Sequence, residues 1–181
     1  MERDVSPKTV VRSFGAGLML LAAAGCTDKA QEPGRYHNEN EGFSLTVPQD
    51  WDVQENVSGA AAIVWSPMTG PDDHYRESVN VAVKQLPEGM NLEAYDKKCR
   101  SILGTIATDL NIEKAITAEV GDTPARMFVY THRTGQVNLK TLQYIMIKDG
   151  KGFVITCTAA PETYAEYKER FQETAQSFRT E

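Results

Sequence analysis

Three kinds of side chain in this sequence could do chemistry: thiols, imidazoles and grouped carboxylates. The thiols are Cys26, Cys99 and Cys157, and the imidazoles are His37, His74 and His132. An imidazole and carboxylates fall together once, at Asp72-Asp73-His74, with Glu77 close by. Hard oxygens and a ring nitrogen form part of a cation site. The same run follows Gly70-Pro71 and reads more simply as a solvated turn, and further ligands would have to come from elsewhere. No metal ligand is assigned on this basis. His37 and His132 read as exposed rings with no special role. Arg126 and Lys140 read as rim residues whose apolar stems lie along a sheet. A catalytic nucleophile needs a base within hydrogen-bond reach and a third group to orient that base. No G-x-S-x-G, H-E-x-x-H or glycine-rich phosphate loop occurs. The expectation is a protein that is not an enzyme and carries no cofactor.

Cys26 is set apart by what precedes it. Arg3, Lys8 and Arg12 make a basic start, and Phe14 to Ala24 is an uncharged, mostly apolar run. That run is shorter than the roughly 17–25 residues a helix needs to cross a bilayer. A basic start, a short apolar run and small residues at the cut describe an export signal over residues 1–25. Leu21-Ala22-Ala23-Ala24-Gly25-Cys26 resembles the lipobox of bacterial lipoproteins. That resemblance implies a diacylglyceryl group on the Cys26 thiol and cleavage just before it. Cys26 is thus the expected lipid attachment site, with acyl chains such as palmitate holding the protein to a membrane. Thr27, not aspartate, follows the cysteine; by resemblance to the Gram-negative sorting rule, this favours the outer membrane over the inner, facing the periplasm.

The whole chain carries a formal charge of −6. Removing residues 1–25 takes away three basic and two acidic residues, one net positive charge, and leaves −7. An acidic body disfavours nucleic acid and is not drawn to anionic lipid headgroups, so membrane attachment falls to the acyl chains. Export permits disulfides. Cys99 falls on the apolar face of a predicted helix and Cys157 in a predicted strand, so they read either as two buried thiols or as a bridge.

The elements around these residues follow from periodicity. Residues 26–35 read as a polar tether containing Pro33-Gly34, and residues 36–181 as one domain. Phe43 to Val47 alternates strictly, which predicts a strand with one wet face. Trp51, after the turn at Pro48, has the size to fill a core corner. Ala60–Ser66 and Val79–Lys84 are further strands, separated by the polar loop Met68–Arg76. Asn91 is a good N-cap for an amphipathic helix from Leu92 to about Asp109, with a stripe of Leu92, Tyr95, Cys99, Ile102, Ile106 and Leu110. Ile112–Val120 and Ala125–Thr131 are strands. Lys140–Ala160 is a hairpin turning at Asp149-Gly150-Lys151-Gly152, and it completes a three-stranded meander. Both parities of that hairpin are apolar: Leu142, Tyr144 and Met146 against Ile145 and Ile147. This predicts a central position in a sheet covered on both faces. Pro161 opens a last helix whose stripe is Tyr164, Tyr167, Phe171, Ala175 and Phe178, with Glu162 and Arg179 placed to suit its dipole. Strands linked mostly as hairpins predict an α+β fold, an antiparallel sheet packed between helices.

The order and local wording of these pieces resemble the PsbP-like superfamily. The likeness rests on Gly42-Phe43-Ser44-Leu45-Thr46-Val47-Pro48-Gln49-Asp50-Trp51 and on Asp122-Thr123-Pro124-Ala125. It continues through Asp149-Gly150-Lys151-Gly152-Phe153 and the closing Tyr164, Phe171, Ser177-Phe178 helix. That group includes the extrinsic PsbP subunit of photosystem II, DcrB-type bacterial lipoproteins and a Ran-binding nuclear import factor. The resemblance implies an antiparallel sheet between helices, and the lipobox pulls toward the bacterial lipoprotein branch. The reading is a non-enzymatic, lipid-anchored envelope protein that binds or supports another envelope protein. The alternatives are a photosystem II accessory protein, or a periplasmic small-molecule or cation binder using a groove beside Met68–Arg76.

Overall fold

The computed structural model describes residues 34–70 and 75–181. Cys26 with its lipobox, most of the tether and Asp72-Asp73-His74 lie outside the described residues. In chain order the elements are β1 (Arg35–Asn38), β2 (Phe43–Thr46), β3 (Asp52–Val57), β4 (Ala60–Trp65) and β5 (Ser78–Gln85). Then come α1 (Leu92–Ile106), β6 (Thr108–Val120), β7 (Thr123–Thr134), β8 (Val137–Lys148), β9 (Lys151–Ala159), α2 (Tyr164–Gln176) and β10 (Arg179–Thr180). Seven strands form an antiparallel sheet in the order β3-β4-β5-β9-β8-β7-β6, and β1-β2-β10 form a second, small one.

The β8–β9 hairpin lies at the middle of the large sheet because its residues tolerate no water on either side. Tyr144 and Ile145 are neighbours that point to opposite faces, and they are 3% and 0% exposed. On one face, Leu142, Tyr144, Met146, Phe153, Ile155 and Cys157 belong to the main core with Phe171 and Ala175 of α2. On the other, Ile145 joins Phe128, Tyr130 and Tyr95 of α1 in a smaller cluster. Each helix thus covers one face, giving an antiparallel sheet between helices.

The core under α2 is aromatic. Trp51 packs on Tyr167 and Phe171 with ring centroids 6.0 and 6.2 Å apart. Phe178, just past the helix, stacks on Phe43 of β2 at 5.4 Å and meets Phe153 of β9 edge-on at 5.3 Å. Such pairs add about 0.5–1.5 kcal/mol each beyond their buried area. They dock the small sheet onto the large one. A polar clasp sits at the start of α2. Thr163 Oγ1 donates to Glu77 Oε1 at 2.6 Å, and Ser66 Oγ donates to Glu77 Oε2 at 3.0 Å. Glu77 is 3% exposed, so these bonds tie the ends of the β4–β5 connection to the last helix.

Several elements depart from the sequence reading. The tether gives way to β1 at Arg35, which pairs with Thr46 of β2. Ser44 is buried, not wet: β2 lies between β1 and β10, and the Arg35 side chain of β1 donates from Nε to Ser44 Oγ at 3.1 Å. The strands β3 and β10 were not foreseen: one is a mostly exposed edge and the other has two residues. The meander has four strands, β6 to β9. Its central turn is Asp149-Gly150 alone, since Lys148 pairs with Lys151; Lys151 and Gly152 belong to β9. Both turn residues have positive φ, 50° and 74°, as a two-residue hairpin of matching twist requires. Helix α1 ends at Ile106, and Ile102 and Ile106 are exposed instead of completing the stripe. Helix α2 begins at Tyr164, so Pro161 and Glu162 precede it, and Arg179 lies in β10.

Gly152 is required for a reason other than turn geometry. A Cβ there would lie 2.4 Å from Cζ of Tyr95, so the α1 ring rests directly on the β9 backbone. Gly152→Ala should cost about 1–3 kcal/mol in urea denaturation, the usual range for overpacking. The penalty should shrink in a Tyr95→Leu background. Equal penalties in both backgrounds would mean the ring is not what excludes the methyl group.

Candidate functional site

The face of the sheet under α1 is where polar chemistry collects. Asn91 caps the helix, its Oδ1 accepting from Ala94 N at 2.9 Å. Tyr95, Leu92, Cys99 and Leu103 then pack onto Phe128, Tyr130, Ile145, Ile147 and Val154. One helix covers only part of a seven-stranded face, and both flanks of that cover are polar.

The first flank is an uncharged tract. Register places Asn80, Thr156 and Gln143 side by side on β5, β9 and β8, and Ser78, Thr158 and Thr141 in the next row. Gln143 Nε2 donates to Thr156 Oγ1 at 3.1 Å, and the hydroxyls of Thr141 and Thr158 lie 3.3 Å apart. His132 closes the row, its Nε2 3.3 Å from Thr141 Oγ1 and its ring 5.4 Å from that of Tyr130. Burial lowers the His132 pKa below its ordinary value, so the ring is neutral at pH 7. Burial also pushes Tyr130 up to about 12. Hydroxyls, amides and a neutral imidazole can exchange hydrogen bonds with polar, uncharged groups. The Thr141–His132 contact is not a nucleophile and base in working order. Thr141 is fully buried, and Nδ1 of His132 has no partner to orient the ring.

The second flank is a groove of about 360 Å³ between α1 and the outer strands, lined by Glu93, Asp96, Arg100, Thr117, Arg126 and Phe128, among others. Arg100 Nη2 meets Asp96 Oδ2 at 2.9 Å, and its guanidinium lies 5.4 Å from the Phe128 ring centre. Arg126 bonds to Thr117 Oγ1 of β6. Arg126 was expected on the sheet rim, and it does lie along β7, but its head faces this groove. Asp96 was missed. Its signal was legible: it stands four residues after Leu92 and three before Cys99, an acid inside an apolar stripe.

Other expected residues separate. Cys99 and Cys157 are free and lie in different clusters on opposite faces of the sheet, which rules out the bridge reading. Burial raises both thiol pKa values. Lys140 is engaged, its Nζ 2.7 Å from Glu113 Oε2 and 5.2 Å from the Tyr164 ring centre. His37 is not a bare ring beside a tether: it sits on β1, and its Nδ1 is 2.7 Å from Glu181 Oε1. His132 is half-buried, not exposed. Among the described residues no group of three His, Cys, Asp or Glu side chains is placed to hold a metal ion. No described helix is long and apolar enough to cross a membrane.

Comparison with known proteins adds three structural likenesses and a family. The family model described as PsbP matches residues 32–180. No curated protein sequence matches the chain. The solution structure of cyanobacterial PsbP (CyanoP) from Synechocystis sp. PCC 6803 aligns with a TM-score of 0.64 at 16% identity, covering 87% of this chain and 99% of that one. LpqN, involved in cell envelope biogenesis of Mycobacterium tuberculosis, aligns with a TM-score of 0.64 at 14% identity over 81% and 90% of the two chains. The Saccharomyces cerevisiae Ran-binding protein Mog1p gives 0.55 at 10% identity over 81% and 94%. At these identities the likeness is one of fold.

Two measurements check the site. The ring of His132 should titrate below about 6.5 by NMR. Because its folded pKa is depressed, the neutral ring stabilises the fold above the unfolded pKa, and that contribution is lost as pH falls. Stability should therefore fall as pH drops below about 6.5, and fall less in His132→Gln. An unchanged slope would place the ring in water. In the folded protein Cys99 should alkylate slowly and Cys157 not at all, while both should react after denaturation without reductant. A denatured chain that resists alkylation until reduced would contradict the separated thiols.

Proposed function

The chain belongs to the PsbP family, and from that premise we propose that it is a lipid-anchored accessory module of the cell envelope that binds another protein and performs no catalysis. The observation that carries this reading is the spacing between two features. Leu21-Ala22-Ala23-Ala24-Gly25-Cys26 ends six residues before the family match begins at residue 32. Cleavage before Cys26 would leave the domain whole and put its acylated residue nine positions before the start of β1 at Arg35. Stretched, that link reaches about 3.3–3.6 Å per residue, so the domain stays close to its membrane. An acidic body gains nothing from anionic headgroups, so acyl chains are the attachment it needs.

The non-catalytic part rests on what the α1 face offers. Among the described residues its hydroxyl–imidazole contact joins a fully buried hydroxyl to an unoriented ring, and its other polar groups suit hydrogen bonding more than proton transfer. LpqN, a protein of similar fold and a part in cell envelope biogenesis, is consistent with an envelope role.

Mass spectrometry of the protein from its host should show diacylglyceryl and acyl mass on Cys26, with partition into detergent. Cys26→Ser should lose both, and globomycin should cause the uncleaved, lipidated precursor to accumulate. A wild-type chain of unmodified mass that stays in the aqueous phase would remove the anchor. Crosslinking in intact cells with wild type and Cys26→Ser would then separate loss of anchoring from loss of partner.

A further inference from the structure

The groove between α1 and the outer strands contains two polar groups that the protein leaves unanswered. Asp96 is 4% exposed; its Oδ2 is held by Arg100, but its Oδ1 is buried without a partner. Arg126 is half-buried; its Nε is also buried without a partner, and among the described residues it makes no ion pair. Both side chains line the same groove. Buried polar atoms almost always have a hydrogen-bond partner, and the walls of this groove hold two that have none.

The charges define the kind of group that suits the groove. Glu93 and Asp96 line the groove with Arg100 and Arg126, so it is neutral overall but divided. A simple anion would meet Arg126 and then the two carboxylates. A simple cation would meet Asp96 and then the two guanidiniums. A molecule carrying both signs meets each with its opposite. The volume of about 360 Å³ is at the small end of ligand sites. We propose that this groove binds a free α-amino acid. Its carboxylate lies on the Arg126 guanidinium beside the Thr117 hydroxyl, and its ammonium on Asp96 with Glu93 close by. The Phe128 ring, under Arg100, also lines the groove. This assignment is independent of the lipid anchor.

The full chain, purified in detergent, would be titrated by calorimetry with glycine, L-alanine, L-leucine and L-glutamine at up to millimolar concentration. The N-acetyl derivatives, which lack the ammonium, and the amides, which lack the carboxylate, serve as paired controls. Saturable binding of at least one free amino acid is expected, falling at least tenfold with either derivative. Asp96→Asn and Arg126→Gln should each weaken it at least tenfold while circular dichroism is unchanged. If either variant fails to fold, the Arg126 Nε–H resonance of the wild type serves in its place and should shift in step with saturation. The proposal is overturned if no free amino acid binds, if the acetylated and amidated forms bind as well, or if binding leaves that resonance and both variants unaffected.

Discussion

The whole arrangement follows from one constraint: the β8–β9 hairpin must be dry on both sides. Tyr144 and Ile145 cannot share a face, yet neither reaches water. A single-layer or one-sided sheet cannot satisfy both, so the chain must supply a cover from above and another from below. It does so with two helices far apart in sequence, which is why α1 interrupts the strands before the meander and α2 follows it. The covers are unequal. The α2 side carries the large aromatic core, whereas the α1 side has a cluster centred on four residues. Where the smaller cover stops, the strands change from valine and isoleucine to asparagine, threonine, glutamine and arginine. The candidate sites are therefore the margins of a helix too short for its sheet.

The central hairpin and both helices were legible because their periodicity is carried by large apolar residues whose burial decides their position. The elements that escaped have no such residues to declare them. Asp52–Val57 is polar because it lies at an edge, and a strand that needs no buried face shows no alternation. Arg179–Thr180 is a strand only because β2 is beside it. Ser44 looked wet because serine in an alternating run usually is; the strand on each side of β2 could not be inferred from β2 itself. The cysteines could not be paired or separated by sequence, since their parity relative to the sheet depends on which face each helix takes.

The groove was half legible. An aspartate in an apolar helical stripe announces a buried charge, but its meaning depends on Arg126, thirty residues away on another element. Only the register of β7 against α1 brings the two together. The family, by contrast, was legible because it resides in the order of many weak signals, and order survives when identity has fallen to 16%.

The two outermost strands of the seven-stranded sheet share a property that matters wherever copies of the protein are concentrated. Strand β6 is irregular at two points along its pairing with β7, and Asp109 within it adopts φ of 54°. Strand β3 has Asn56 at φ of 56° and an exposed, mostly polar sequence. A kinked or polar rim breaks the straight row of amides and carbonyls that a foreign strand would need as a template. Ile112 and Ile116 of β6, though exposed, are placed by that irregular register opposite Tyr130 and Met127, on opposite faces, so they do not merge into one sticky strip. Crowded side by side, such molecules can touch at their rims without fusing their sheets into a fibre.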